Sequence, residues 1–95
     1  MKKEATCFSN VWLLVDDNDY PNAVQMDDET IWAFDRVRVT ADAHGYICPG
    51  IKTPGEGIIM EIRRDDTDHF FGVLMNSGEF GFMKKARIEV IEEDN

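Results

Sequence analysis

Alternating apolar and polar residues dominate the last two thirds of the chain and predict a series of β-strands. In residues 36–40, Val37 and Val39 alternate with arginines, as in a strand with one buried face and one face in solvent. The same period of two recurs in four later segments. Their predicted inward residues are Ile58, Met60 and Ile62, then Phe71, Val73 and Met75, then Ile88 and Val90, while Phe80 and Phe82 share one face.

The connections between these segments support the same interpretation. Residues 64–68 and 76–79 are polar and short, which is typical of hairpin turns. Residues 41–57 contain four glycines and two prolines and therefore predict a long irregular loop. We expect a meander of about five strands that begins before this loop and continues after it.

The first third of the chain gives a weaker pattern. Residues 11–15 form a continuous apolar run, which predicts a strand buried on both faces, and residues 16–21 end it with turn chemistry. Residues 23–26 and 30–34 indicate two further strands. As an alternative, Asp27 or Asp28 caps a short helix through residues 31–34. Taken together, the patterns predict an all-β protein.

Residues 34–91 resemble small SH3-like barrels of the KOW and ferredoxin–thioredoxin reductase variable-chain type. Residues 34–39 match a "G-D-x-V-x-V" opening strand, with Phe34 in the place of its glycine, and residues 55–62 match "G-x-G-x-V-x-x-I". Residues 70–75 and 87–91 match the aromatic-start strand and the final strand. The resemblance implies an SH3-like barrel of about five strands with an N-terminal β extension. Such barrels have many unrelated functions, so the resemblance alone assigns none.

The length of 95 residues suits one domain. We divide it into an N-terminal β extension over residues 1–33, an SH3-like barrel over residues 34–92 and a frayed tail over residues 93–95. No apolar run is long enough for a membrane-spanning helix or a signal peptide, and two cysteines without metal spacing suit free thiols in the cytoplasm.

A formal net charge of −9 restricts the partners that this domain can bind. It repels phosphate backbones and anionic membranes, which makes nucleic acid an improbable partner. It favours docking on a basic protein surface, although acidity that only keeps the domain soluble is an alternative. A third interpretation is that the acidic clusters imitate the phosphate track of a nucleic acid.

No combination of residues predicts catalysis, a metal site or a cofactor. The histidines and serines lack partners that would make them general bases or nucleophiles. Cys48, with His44 four residues earlier, is the remaining candidate for a small redox or enzyme subunit, but an acidic environment raises a thiol pKa. We therefore expect a non-enzymatic protein-binding domain, such as a small inhibitor or immunity-like protein or an accessory subunit.

The candidate binding residues are acids in turns and apolar residues in the long loop. Tyr46, Ile47 and Ile51 either cover one end of the barrel or line a protein-binding groove. Arg36, Arg38 and Arg63 form either a cationic patch for a KOW-like nucleic-acid module or cross-strand pairs with acids such as Asp35, Glu61 and Glu89. The acidic candidates are Asp16, Asp17, Asp19, Asp65, Asp66 and Asp68.

Overall fold

A computed structural model describes residues 1–65 and 68–92, so that Asp66 and the predicted tail 93–95 lie outside the described residues. The described chain forms two antiparallel sheets, which confirms the all-β prediction. The first has the order β1-β2-β3-β4, and the second has the order β8-β7-β6-β5-β9. The strands are β1 Lys2–Ala5, β2 Trp12–Val15, β3 Pro21–Gln25, β4 Thr30–Trp32, β5 Arg36–Val39, β6 Gly55–Arg64, β7 His69–Met75, β8 Phe80–Met83 and β9 Ile88–Val90, with a 3₁₀ turn over Lys85–Arg87.

The first sheet is an up-and-down meander with one buried face. In β2, Leu13 and Val15 are buried whereas Trp12 is exposed, so the prediction of a strand buried on both faces is wrong. The apolar run misled the prediction because the outer face of this sheet also carries large apolar side chains. The alternative of a helix over residues 31–34 is wrong as well, because β4 pairs with β3 from Gln25↔Thr30 to Ala23↔Trp32.

The second sheet has five strands, but only β5 to β8 form a meander, because β9 returns to pair with β5. Strand β6 also contains an irregularity. The register shifts between Ile59 and Glu61, which leaves Met60 as a bulge. Ile59 and Ile62 are therefore the buried residues, and the prediction that Ile58 and Met60 face inward is wrong. Strands β8 and β9 remain at the two edges, and the described residues form no closed barrel.

The two inner faces share one hydrophobic core. The predicted inward residues of β5 and β7 are confirmed, since Val37, Val39, Phe71 and Val73 are fully buried and Met75 nearly so. The first sheet and the remaining strands add Leu13, Val15, Val24, Ile31, Ile59, Ile62, Met83 and Ile88. The N-terminal strands thus form the second layer of this core.

The long loop packs against β8. Cys48 and Ile51 form an isolated bridge, and a Cβ built on Gly81 would lie 2.7 Å from Cys48 Sγ and 2.7 Å from the carbonyl oxygen of Pro49. Glycine at position 81 therefore allows the loop to approach the strand. Ile47 and Ile51 are buried in the core, so they cover one end of it and offer no contact surface to a partner.

Ion pairs join the second sheet to the turns and strands of the first. Arg64, at the end of β6, pairs with Glu4 of β1 and with Asp19, where Nη2 lies 3.0 Å from Oδ2. Lys85 Nζ lies 3.0 Å from Glu29 Oε1 in the β3–β4 turn. Among the described residues there is no helix whose length and apolarity would let it cross a membrane.

Candidate protein-binding site

Phe34 is the most unusual residue of the surface. It follows β4 with a φ of 73°, in the left-handed region that disfavours bulky side chains, and its side chain is 69% exposed. The segment is held by its neighbours, because Phe34 N–H donates to the Ile59 carbonyl and Asp35 accepts a hydrogen bond from Trp32 N–H. The backbone that leads from the first sheet to the second therefore displays an aromatic ring in solvent.

Tyr20 projects from a turn that the Asp16 carboxylate organises. Asp16 Oδ1 accepts hydrogen bonds from the N–H groups of Asn18 at 2.9 Å and Tyr20 at 3.0 Å, and Oδ2 accepts one from Asn22 Nδ2 at 3.2 Å. The bond from Tyr20 is the main reason that the pKa of Asp16 lies below its ordinary value. The turn is thus well defined, while the Tyr20 side chain is 67% exposed.

Met60 completes a group of exposed apolar side chains at the junction of the sheets. The bulge in β6 turns Met60 outward, and together with Tyr20, Pro21 and Phe34 it lines a shallow hollow of about 210 Å³. A chain of this size does not need three large apolar side chains in solvent around one hollow to fold. Such groups on a protein surface mark contacts with other molecules.

One acidic residue lines this hollow, and three others belong to a turn beside it. Asp16, Asp17 and Asp19 belong to the turn that carries Tyr20, and Glu61 follows Met60 on β6 and also lines the hollow. Asp19 pairs with Arg64 and Glu61 pairs with Arg63 at 3.4 Å, whereas Asp17 is exposed and has no ion pair among the described residues. We call Tyr20, Phe34 and Met60 with the acids Asp16, Asp17, Asp19 and Glu61 the acidic–aromatic patch.

The second predicted acidic group has a different role. Asp68 Oδ2 lies 2.6 Å from Lys84 Nζ, and its Oδ1 accepts a hydrogen bond from His69 N–H. The pair with Lys84 is the main reason that the pKa of Asp68 lies below its ordinary value. Asp65 accepts a hydrogen bond from Asp68 N–H at 2.8 Å, and Asp66 lies outside the described residues. Asp65 and Asp68 thus order the end of the β6–β7 hairpin.

The predicted arginine candidates lie on the outer face of the second sheet, as expected. Arg36 Nη2 lies 3.5 Å from Glu56 Oε1, and Arg63 pairs with Glu61. Arg38 is opposite Glu56 on one side and Glu89 on the other. The face is therefore not an uncompensated cationic patch, but the pairs differ from the predicted ones: Arg36 pairs across strands with Glu56, and Arg63 pairs with Glu61 within β6. Asp35 instead accepts a hydrogen bond in the turn after β4.

The candidates for redox chemistry are unsuited to it. Cys48 is buried, and burial raises the pKa of its thiol, which disfavours the reactive thiolate. His44 is exposed in the loop, where its N–H donates to Asp42 Oδ1. Neither Cys7 nor Cys48 is in a disulfide in the described part of the chain. Within residues 1–65 and 68–92, no group of three or more His, Cys, Asp or Glu side chains is arranged to hold a metal ion.

Comparison with known proteins adds no family to this description. No protein-family model matches the chain, and no curated protein and no solved structure matches it significantly.

Proposed function

We propose that this chain is a non-enzymatic acidic domain that binds a basic surface of another protein through its acidic–aromatic patch. The observation that carries the proposal is Phe34, because an exposed aromatic ring on a left-handed backbone costs stability and gains little burial in return. Residues of this kind are retained where another molecule uses them. Aromatic side chains are also the usual anchors of protein interfaces.

The charges around the hollow indicate the chemistry of the partner. Glu61 lines the hollow, Asp16, Asp17 and Asp19 lie in the turn that carries Tyr20, and the whole chain carries a net charge of −9. A partner with an apolar depression and a basic rim complements both features, and the long-range field accelerates their encounter. An inhibitor or immunity-like protein and an accessory subunit both suit this arrangement. A reducing compartment such as the cytoplasm suits two cysteines that form no disulfide within the described residues.

An SH3-like plan for residues 34–92 is part of the proposal. The order β8-β7-β6-β5-β9, the long loop after β5 and the 3₁₀ turn before β9 are the features that support it. In this plan the strands of residues 1–33 are an added layer, and the acidic–aromatic patch lies where that layer meets the barrel strands. The binding surface then exists only because the N-terminal strands pack beside the barrel strands.

Site-specific photocrosslinking tests the proposed function. Benzoylphenylalanine is introduced in place of Tyr20 and, as a matched control, in place of Phe8, which is also exposed but belongs to the connection between β1 and β2. In a lysate of the source cells, position 20 should capture a basic protein that position 8 does not capture. The additional substitution Phe34→Asn should abolish this product, because asparagine tolerates the left-handed backbone but removes the ring.

Two outcomes contradict the proposal. One is the absence of any captured protein at position 20, and the other is the same set of captured proteins at positions 20 and 8.

A further inference from the structure

The outer face of the second sheet carries a second group of aromatic residues, in which Phe70 and Phe82 are half-buried and Phe80 is exposed. Phe70 lies opposite Arg63 in the β6–β7 register, and Phe82 lies opposite Gly72 in the β7–β8 register. Because Gly72 has no side chain, the Phe82 and Phe80 rings lean over it, and a Cβ built there would lie 2.9 Å from Phe82 Cε1 and 3.1 Å from Phe80 Cζ. The rings therefore form a raised aromatic platform on this face.

Hollows lie on both sides of the platform. One, of about 320 Å³, is lined by Arg63 and Arg64, and the other, of about 400 Å³, is lined by Tyr46, Met83 and Arg87. Phe70 and Phe82 line both hollows, so the two hollows adjoin at these rings. We call the two adjoining hollows together the aromatic trough.

Positive charge is concentrated along the aromatic trough in an otherwise acidic protein. The Arg63 guanidinium lies 4.6 Å from the centre of the Phe82 ring, and Lys84 Nζ lies 5.7 Å from the centre of the Phe70 ring. Arg87 lines the far hollow. The two acids of the lining, Asp42 and Asp65, both have a carboxylate oxygen that accepts backbone hydrogen bonds.

The trough cations are available to a ligand in spite of their internal pairs. Arg63 and Glu61 form their pair at 3.4 Å with side chains that are 66% and 44% exposed. The Lys84 side chain is 62% exposed, but its partner Asp68 is only 13% exposed, so this pair remains intact and Lys84 adds its charge from the edge of the trough. An exposed ion pair such as Arg63–Glu61 contributes about 0–1 kcal/mol, so an incoming carboxylate can exchange with Glu61 at little cost.

We propose that the aromatic trough binds an extended acidic peptide segment of a partner protein. In an extended chain, side chains alternate at a period of two, so apolar residues can lie on Phe70 and Phe82 while the carboxylates between them reach Arg63 and Lys84. A nucleic acid is the less suitable anion, because its uniform phosphate charge is repelled by the net charge of −9 over the whole surface. A short peptide with a few carboxylates experiences that repulsion far less.

Selection from a displayed library of random decapeptides on the intact protein tests this inference. The enriched peptides should combine aspartate or glutamate with large apolar residues. Arg63→Glu should weaken their binding about tenfold or more, because it reverses the charge beside Phe82. Arg38→Glu is the matched control, since Arg38 lies on the same sheet outside the trough, and it should change binding less than about twofold. Melting temperatures of both variants show whether the fold is retained.

The outcomes separate this inference from the proposed function. Peptides that lose binding with Phe34→Asn belong to the acidic–aromatic patch and are expected to be basic, whereas acidic peptides should be insensitive to that substitution. The inference is overturned if no acidic peptide is enriched or if Arg63→Glu binds the enriched acidic peptides as well as the wild type does. It is also overturned if a labelled single-stranded oligonucleotide binds the trough in an Arg63-dependent manner and displaces the peptides.

Discussion

The backbone at Phe34 should reverse the usual order of stability between alanine and glycine. Both Phe34→Ala and Phe34→Gly remove the same ring, so the loss of packing is common to them. Alanine at this position keeps the strain of the left-handed backbone, which is about 1–2 kcal/mol. Glycine has no such strain, but it gives the unfolded chain more conformational freedom, which lowers the stability of the folded state by about 0.5–1 kcal/mol. The glycine variant should therefore be about 1 kcal/mol more stable than the alanine variant.

Urea unfolding, followed by tryptophan fluorescence, measures this difference. With a slope of about 1 kcal/mol per molar for a small protein, the midpoint of Phe34→Gly should be about 1 M higher than that of Phe34→Ala. Leu74 is the matched control, because it is 41% exposed in the middle of β7 and has ordinary backbone angles. At this control position, Leu74→Ala should be more stable than Leu74→Gly by about 0.5–1 kcal/mol. A Phe34→Ala variant at least as stable as Phe34→Gly would refute the argument that position 34 is strained.

Three further predictions concern the core and the edges. Gly81→Ala should destabilise the fold by about 1–3 kcal/mol because its Cβ meets the Cys48–Ile51 turn, whereas Gly55→Ala, whose nearest contact is Met75 Cε at 3.6 Å, should be nearly neutral in the same urea assay. Burial lowers the pKa of His69 below 6.5, so the stability that neutral His69 contributes is complete above pH 6.5 and is lost as the pH falls through the lowered pKa. In the variant His69→Phe, the free energy of unfolding should depend less on pH in this range. An unchanged pH dependence would contradict its assignment to His69. In native protein, a thiol reagent should modify exposed Cys7 quickly and buried Cys48 only on unfolding; equally fast modification of both would contradict the burial of Cys48.

The strands of the second sheet were largely predictable because their side chains alternate. In β5 the apolar residues Val37 and Val39 lie on one face, and in β7 Phe71 and Val73 do, so the pattern allows only one buried face for each strand. In β6 the apolar residues are consecutive from Ile58 to Met60, so the pattern allows either face, and the bulge that selects Ile59 and Ile62 depends on packing against the first sheet.

The acidic–aromatic patch was only half predictable. The sequence indicated Asp16, Asp17 and Asp19 through their turn chemistry, but gave no reason to combine them with Met60, which lies about forty residues later and was expected in the core. Phe34 carried a usable signal, since it occupies the glycine position of the opening-strand pattern. A bulky residue in a position that suits glycine predicts a positive φ, and a positive φ on an exposed aromatic residue indicates a contact site.

The central claim is that the acidic–aromatic patch binds a basic protein, and a titration of the captured partner tests it most directly. Isothermal titration should show that Phe34→Asn weakens the affinity by at least about tenfold, the equivalent of about 1.4 kcal/mol, while the unfolding midpoint is no lower than that of the wild type. The affinity of the wild type should also fall as salt increases, because the acids of the patch and the basic surface attract each other. An affinity of Phe34→Asn equal to that of the wild type would contradict the claim.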